Sequence, residues 1–177
     1  IVGGIPFEFD TSNGMEPALA QIDSTHYLCT YRGPDDDGWA CVLEVNMLLY
    51  TITKKSSFEF DSGEGRISAL AQIDTNHYLC VYRGPNDDGW ACVLAVNTGT
   101  WAISKSSSFE YDNQWGINAD VTRIDSSHYL CVYEGWNYPW AFVFTVDADT
   151  WAISKGTALA LDNKYCMEPV VCWMHDN

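Results

Sequence analysis

Basic side chains are scarce in this sequence: 9 Lys and Arg stand against 24 Asp and Glu, a formal charge of −15 over 177 residues. That excess repels phosphate backbones and anionic headgroups, so neither nucleic acid nor a membrane surface is an expected partner. Long apolar runs are missing as well. None approaches the ~20 residues that a spanning helix needs, and residues 1–10 lack the basic start and apolar middle of a signal peptide. Helical periodicity is absent throughout. The seven cysteines have no zinc-type CxxC or His/Cys spacing, and their odd number means that no scheme of intrachain disulfides uses them all. No initiator methionine is present, so a processed chain or a piece of a longer one is expected, and the compartment stays open.

What is present is apolar and aromatic. A hydrophobic content of 47% with 14% aromatics suffices for one core and excludes disorder.

The text is written three times. Residues 22–46, 73–97 and, one residue shorter, 124–147 are copies of one another. Phe7, Phe58 and Phe109 recur every 51 residues, as do His26, His77 and His128. Leu159 keeps the same register after the single deletion between His128 and Trp140. The copies also explain the cysteines. Cys29, Cys80 and Cys131 fall in HYLC, Cys41 and Cys92 in WAC, and Phe142 replaces the thiol in the third WAC position. A position that takes either thiol or phenyl packs rather than reacts.

Within one period four segments are β-branched, aromatic or alternating, each bounded by turn residues. In the second copy the spacing predicts strands a to d over 68–73, 77–83, 89–96 and 100–112. Asp74 starts a tight Asx-type turn from a to b, and 97–100 makes the turn from c to d. Longer loops, 84–89 and 61–65, join b to c and d to the next a. Strands b and c are apolar on both faces, so sheet must stack on sheet.

A unit of about 51 residues and four antiparallel strands, needing a like unit on each side, resembles the blade repeats of β-propeller proteins. The Asn/Asp-x-x-Thr-Trp step at 97–101 and 147–151 resembles their c-to-d turns, while the first copy has Met47-Leu48-Leu49-Tyr50, which leaves its turn type open. The resemblance implies an all-β propeller with strand a innermost. Residues 1–10 would end an outer strand d, 11–61, 62–112 and 113–162 would be blade repeats, and 163–177 would begin a further inner strand. That is about three and a half blades. A β-trefoil is the rival, but it closes with twelve strands and more are expected here. Since three blades leave two apolar faces open, a homodimer closing the ring is expected.

The antiparallel order places the d–a and b–c loops on one face. That face collects Asp10, Asp35, Asp36, Asp37, Asp61, Glu64, Asp87, Asp88, Asp112 and Asp162 with Trp115, Trp136 and Tyr138. Its loops vary on a fixed frame, which marks it as the recognition surface. Trp115, Trp136 and Tyr138, beside Asp61 and Asp112, would form a stacking platform for a sugar ring or a cationic ligand, with a glycan or a protein as the partner class of this face. Asp35, Asp37, Asp87 and Asp88 offer oxygens to Ca²⁺, against the plainer reading of solvated acidic turns. The pairs Asp23/His26, Asp74/His77 and Asp125/His128 recur in every copy, so they explain a turn rather than acid–base chemistry. The leading expectation is a non-catalytic binding or scaffold propeller. The alternatives are a glycoside-processing enzyme on the same ring, for which nothing selects a carboxylate pair, and a structural segment of a longer repeat protein.

Overall fold

The computed structural model describes residues 6–162, 164 and 167–172. The parts of the expected end strands that fall on 1–5, 163, 165–166 and 173–177 lie outside the described residues.

Each copy of the repeat folds as one antiparallel meander, because its strands are short, β-branched and joined by tight turns. The first sheet runs β1 (Met15–Gln21), β2 (His26–Arg32), β3 (Gly38–Asn46) and β4 (Thr51–Asp61) in sequence order. The second repeats it with β5 (Arg66–Gln72), β6 (His77–Arg83), β7 (Gly89–Val96) and β8 (Ile103–Asp112). The third has β9 (Ile117–Arg123), β10 (His128–Glu134) and β11 (Pro139–Val146), with its outer strand split into β12 (Ile153–Lys155) and β13 (Leu159–Ala160), both paired to β11. These are stacked propeller blades, and the trefoil alternative is thereby excluded: the inner strands β1, β5 and β9 lie side by side, and each sheet pairs only within its own copy.

Alternation along the central strands gives each blade two apolar faces. Leu28, Ala40, Val42 and Phe60 of the first blade pack on Tyr78, Cys80, Tyr82, Cys92 and Leu94 of the second. Leu79, Val81, Ala91 and Val93 of the second pack on Tyr129, Cys131, Tyr133, Phe142 and Phe144 of the third. Cys29 faces Cys41 and Cys80 faces Cys92 across β2/β3 and β6/β7, whereas Cys131 faces Phe142. All five thiols are buried and unoxidised, and burial pushes the Cys131 thiol well above its ordinary range.

Two details escaped the sequence. The second residue of the first two inner strands, Glu16 and Ile67, and of the third, Asn118, is left-handed, with φ of 52°, 47° and 49°. A bulge follows at each, and the register of inner strand on b slips there. Glu168 repeats the conformation at φ 53°. The first c–d turn also matches the others despite its different letters. Asn46 Oδ1 accepts the N–H groups of Leu48 and Leu49, as Asn97 Oδ1 accepts those of Gly99 and Thr100. Tyr50, Trp101 and Trp151 then all turn left-handed.

Blades meet closely on the loop face. A Cβ on Gly116 would fall 2.5 Å from Gly89 Cα, and one on Gly65 would fall 2.3 Å from Gly38 Cα. Only glycine permits this approach, which lets Gly65 and Gly116 donate their N–H groups to the Asp36 and Asp87 carbonyls of the preceding blade. Gly116→Ala is therefore expected to lower the unfolding free energy in urea by about 3 kcal/mol through overpacking of backbone on backbone.

Candidate functional site

The carboxylates of the d–a loops are built into the blade junctions. Asp61 Oδ1 accepts the N–H groups of Gly63 and Glu64 at 3.0 and 3.3 Å, while Oδ2 accepts the Tyr82 hydroxyl of the next blade at 2.8 Å. Asp112 does the same with Gln114, Trp115 and Tyr133, and Asp10 with Ser12, Asn13 and Tyr31. Beside each carboxylate an aromatic ring, Phe9, Phe60 or Tyr111, meets that tyrosine edge to face at 5.0 to 5.3 Å. A lysine from the next outer strand, Lys54, Lys105 or Lys155, donates to the carbonyl of the same aromatic residue. Burial first, and the facing carboxylate second, push the Tyr133 phenol up. Asp61 and Asp112 thus each hold a turn and a neighbouring blade.

The acidic b–c loops are laced by arginine. Arg32 pairs with Glu16 and Asp36, Arg66 with Asp36 and Glu64, and Arg83 with Glu64 and Asp87. These seven charges form one chain across the first two blades. Asp35 and its counterpart Asn86 are left-handed, as are Asp36 and Asp87, so the loop geometry is a turn rather than a cage. Asp35 and Asp37 sit in the first b–c loop and Asp87 and Asp88 in the second. Among the described residues no three His, Cys, Asp or Glu side chains converge where a metal ion could be held.

The third blade departs from this pattern, and there the expected aromatic residues come together. Glu134 replaces the loop arginine. It is buried and accepts from Asn118 Nδ2 at 2.8 Å. Trp136, Asn137 and Tyr138 replace the acidic turn. Trp115 meets Trp136 edge to face at 5.6 Å, and Tyr138 meets Trp140 at 6.5 Å. With Asp112, Gln114, Tyr133 and Ala158, the residues Trp136, Asn137, Tyr138 and Trp140 line a pocket of about 290 Å³. Trp136 is 65% exposed on its rim. Trp140 is fixed in place because it lies on Gly135, where a Cβ would come within 2.5 Å of its ring. Of the residues expected to bind ligand, Trp136, Tyr138 and Asp112 share this pocket and Trp115 buttresses it. Asp61 lies one junction away. Gln114, Asn137, Tyr133 and Trp140 join that pocket; Gln114 and Asn137 lie in loops where the third copy differs from the others and so carried a signal, whereas Tyr133 and Trp140 recur in every copy, as Tyr31 and Tyr82 and as Trp39 and Trp90, and carried none.

No protein-family model matches the chain, and no curated protein does either. Solved structures do. A putative 6-phosphogluconolactonase of Bacteroides fragilis superposes with a TM-score of 0.66 at 12% identity, over 88% of this chain and 42% of its own. A periplasmic gluconolactonase of Pseudomonas aeruginosa gives 0.60 at 10% identity, over 81% and 39%. A protein of Lactobacillus plantarum gives 0.61 at 14%, over 84% and 42%. The chain shares the fold of these structures. It spans about two fifths of their length.

On the opposite face the Asp-x-x-His turns are as expected, with an addition. Asp23 Oδ1 accepts the N–H groups of Thr25 and His26 at 2.8 Å, and its carboxylate meets His26 Nδ1 at 2.9 Å. Asp125 repeats this with Ser127 and His128. The imidazoles then stack on the next blade: His26 on Trp101 and His77 on Trp151, both at 3.8 Å. The backbone N–H of Thr25 holds Asp23 down at about 2, and that of Ser127 does the same for Asp125, with the histidines adding to both. Folding lowers these values, so the stabilisation is complete above the ordinary 3.8 and is lost as the pH falls toward about 2. The melting temperature is expected to drop across that window, and the double variant Asp23→Asn, Asp125→Asn to show a shallower drop in the same titration.

Proposed function

We propose that this protein handles sugars, taking a single sugar ring in the pocket beneath Trp136 as the recognition step of a sugar-processing propeller. The carrying observation is the pocket's composition. Trp136, Tyr138 and Trp140 supply flat apolar faces for the C–H side of a ring, and Asp112, Gln114 and Asn137 supply acceptors and donors for its hydroxyls. Its volume of about 290 Å³ suits one ring rather than a chain of them. The acidic charge of the protein favours neutral or cationic sugars over phosphorylated ones. Two of the similar solved structures carry the names of sugar-lactone enzymes, which supports processing over binding alone.

Non-catalytic recognition is the second reading, and it too has an observation in its favour. Asp112 is the one carboxylate on the described pocket wall, and both of its oxygens already accept hydrogen bonds from the fold. General acid–base work on a glycoside needs a pair.

A glycan array run beside a panel of glycoside and sugar-lactone substrates separates the two. Turnover supports processing, and binding without turnover supports recognition. Trp136→Ala is expected to weaken binding about tenfold or more while changing stability by no more than ~0.5 kcal/mol, because the ring is at the surface. Absence of binding and of turnover on both panels would defeat the proposal.

A further inference from the structure

The third copy departs from the others a second time, at the far end of its inner strand. Where β1 and β5 both close on Ala-Gln, at 20–21 and 71–72, β9 closes on Thr122 and Arg123. One part of the exchange is structural. In the first copy Gln21 Nε2 donates to the Asp23 carbonyl at 2.9 Å, and in the third Arg123 Nε donates to the Asp125 carbonyl at 2.8 Å. A glutamine therefore already suffices to hold this turn, and the arginine adds two terminal nitrogens and a positive charge. Arg32, Arg66 and Arg83 each pair with carboxylates, whereas among the described residues no carboxylate pairs with Arg123.

Arg123 lines a groove of about 570 Å³ between the ends of β5 and β9, on the face of the Asp-x-x-His turns. Gln72, Thr122 and Ser126 give the groove further hydrogen-bonding side chains, and Leu70, Val121 and Ile124 give it an apolar wall. At the same strand end the packing is one acceptor short. Tyr129, paired across the strands with Arg123, is fully buried and its hydroxyl has no partner, whereas Tyr78 in the preceding copy donates to the Gln21 carbonyl at 3.2 Å.

A guanidinium whose Nε is occupied still presents Nη1 and Nη2 as a fork, the geometry that takes both oxygens of a carboxylate. It neutralises one charge. Asp125 on the rim is held ionised by the Ser127 N–H and by His128, and the chain as a whole carries −15, so a dianionic phosphate is repelled more strongly than a monoanion. The amide and hydroxyl groups beside the fork call for hydroxyls on the ligand. We propose that this groove binds a small hydroxy acid, a monocarboxylate of the sugar-acid class, with its carboxylate on the Arg123 fork and its hydroxyls on Gln72, Thr122 and Ser126. The groove lies on the opposite loop face from Trp136, and the proposal does not depend on what that pocket binds.

Isothermal titration calorimetry of the chain of 177 residues with gluconate and with glucuronate, one an open chain and the other a ring, tests it. At least one is expected to bind with a dissociation constant of about 1 mM or tighter. Arg123→Gln and Thr122→Ala each install the residue that the other two copies carry, so both variants are expected to keep the wild-type melting temperature. Affinity is expected to fall about tenfold or more in Arg123→Gln and about threefold in Thr122→Ala. Inorganic phosphate, and N-acetyl-alanylalanine as a peptide carboxylate without hydroxyls, are expected to bind more weakly than the sugar acid. Binding of neither sugar acid, undiminished binding by Arg123→Gln, or tighter binding of phosphate or of the dipeptide would overturn the proposal. So would a loss of affinity that both variants share with a fall in melting temperature.

Discussion

Everything on the loop face depends on one carboxylate used twice. In Asp10, Asp61 and Asp112, one oxygen caps the turn that ends an outer strand and the other receives a tyrosine hydroxyl from the neighbouring blade. A hydrogen bond to a charged group, largely shielded from water, is among the stronger local contacts a fold can make. Here it joins local chain direction to blade stacking, so a blade cannot shift without uncapping a turn. The lysine that reaches the adjacent carbonyl and the ring that meets the tyrosine edge to face tighten the same point. The close glycine contacts at Gly65 and Gly116 become possible because the blades are held there.

Against that constant frame, the third copy stands out. The first two b–c loops are tied to arginine and spend their acidic side chains on one another's neighbours. In the third, Glu134 withdraws from that network to Asn118, and the freed loop carries Trp136 and Tyr138 instead. Removal of the ion pairs and the arrival of aromatic rings turn a solvated edge into a pocket. Repeats supply the scaffold, and the departure from repetition supplies the candidate site.

Much of this was legible in the letters. The strands β6 and β7 and the Asx turns follow from alternation and turn residues, which are local signals. The loop face and the clustering of Trp115, Trp136 and Tyr138 follow from antiparallel order alone. Contacts between copies were not legible. The stacks of His26 on Trp101 and His77 on Trp151 join residues about 75 positions apart, and no periodic pattern announces them. The left-handed Ile67 was hidden as well, because a β-branched residue at positive φ opposes its own preference and is imposed by the bulge around it. Face position alone marks Asp61 and Asp112 as ligand groups; their hydrogen bonds to turn and tyrosine are visible only once the blades are stacked.

The junction carboxylate is the claim on which the rest stands, and a double-mutant cycle on Asp61→Asn and Tyr82→Phe tests it most directly. Unfolding free energies of the four proteins in urea give the coupling between the two side chains. The account requires a coupling of about 1 kcal/mol or more, with either single variant forfeiting most of the stabilisation. A coupling near zero would show that the blades are held by their apolar faces alone and would contradict the account.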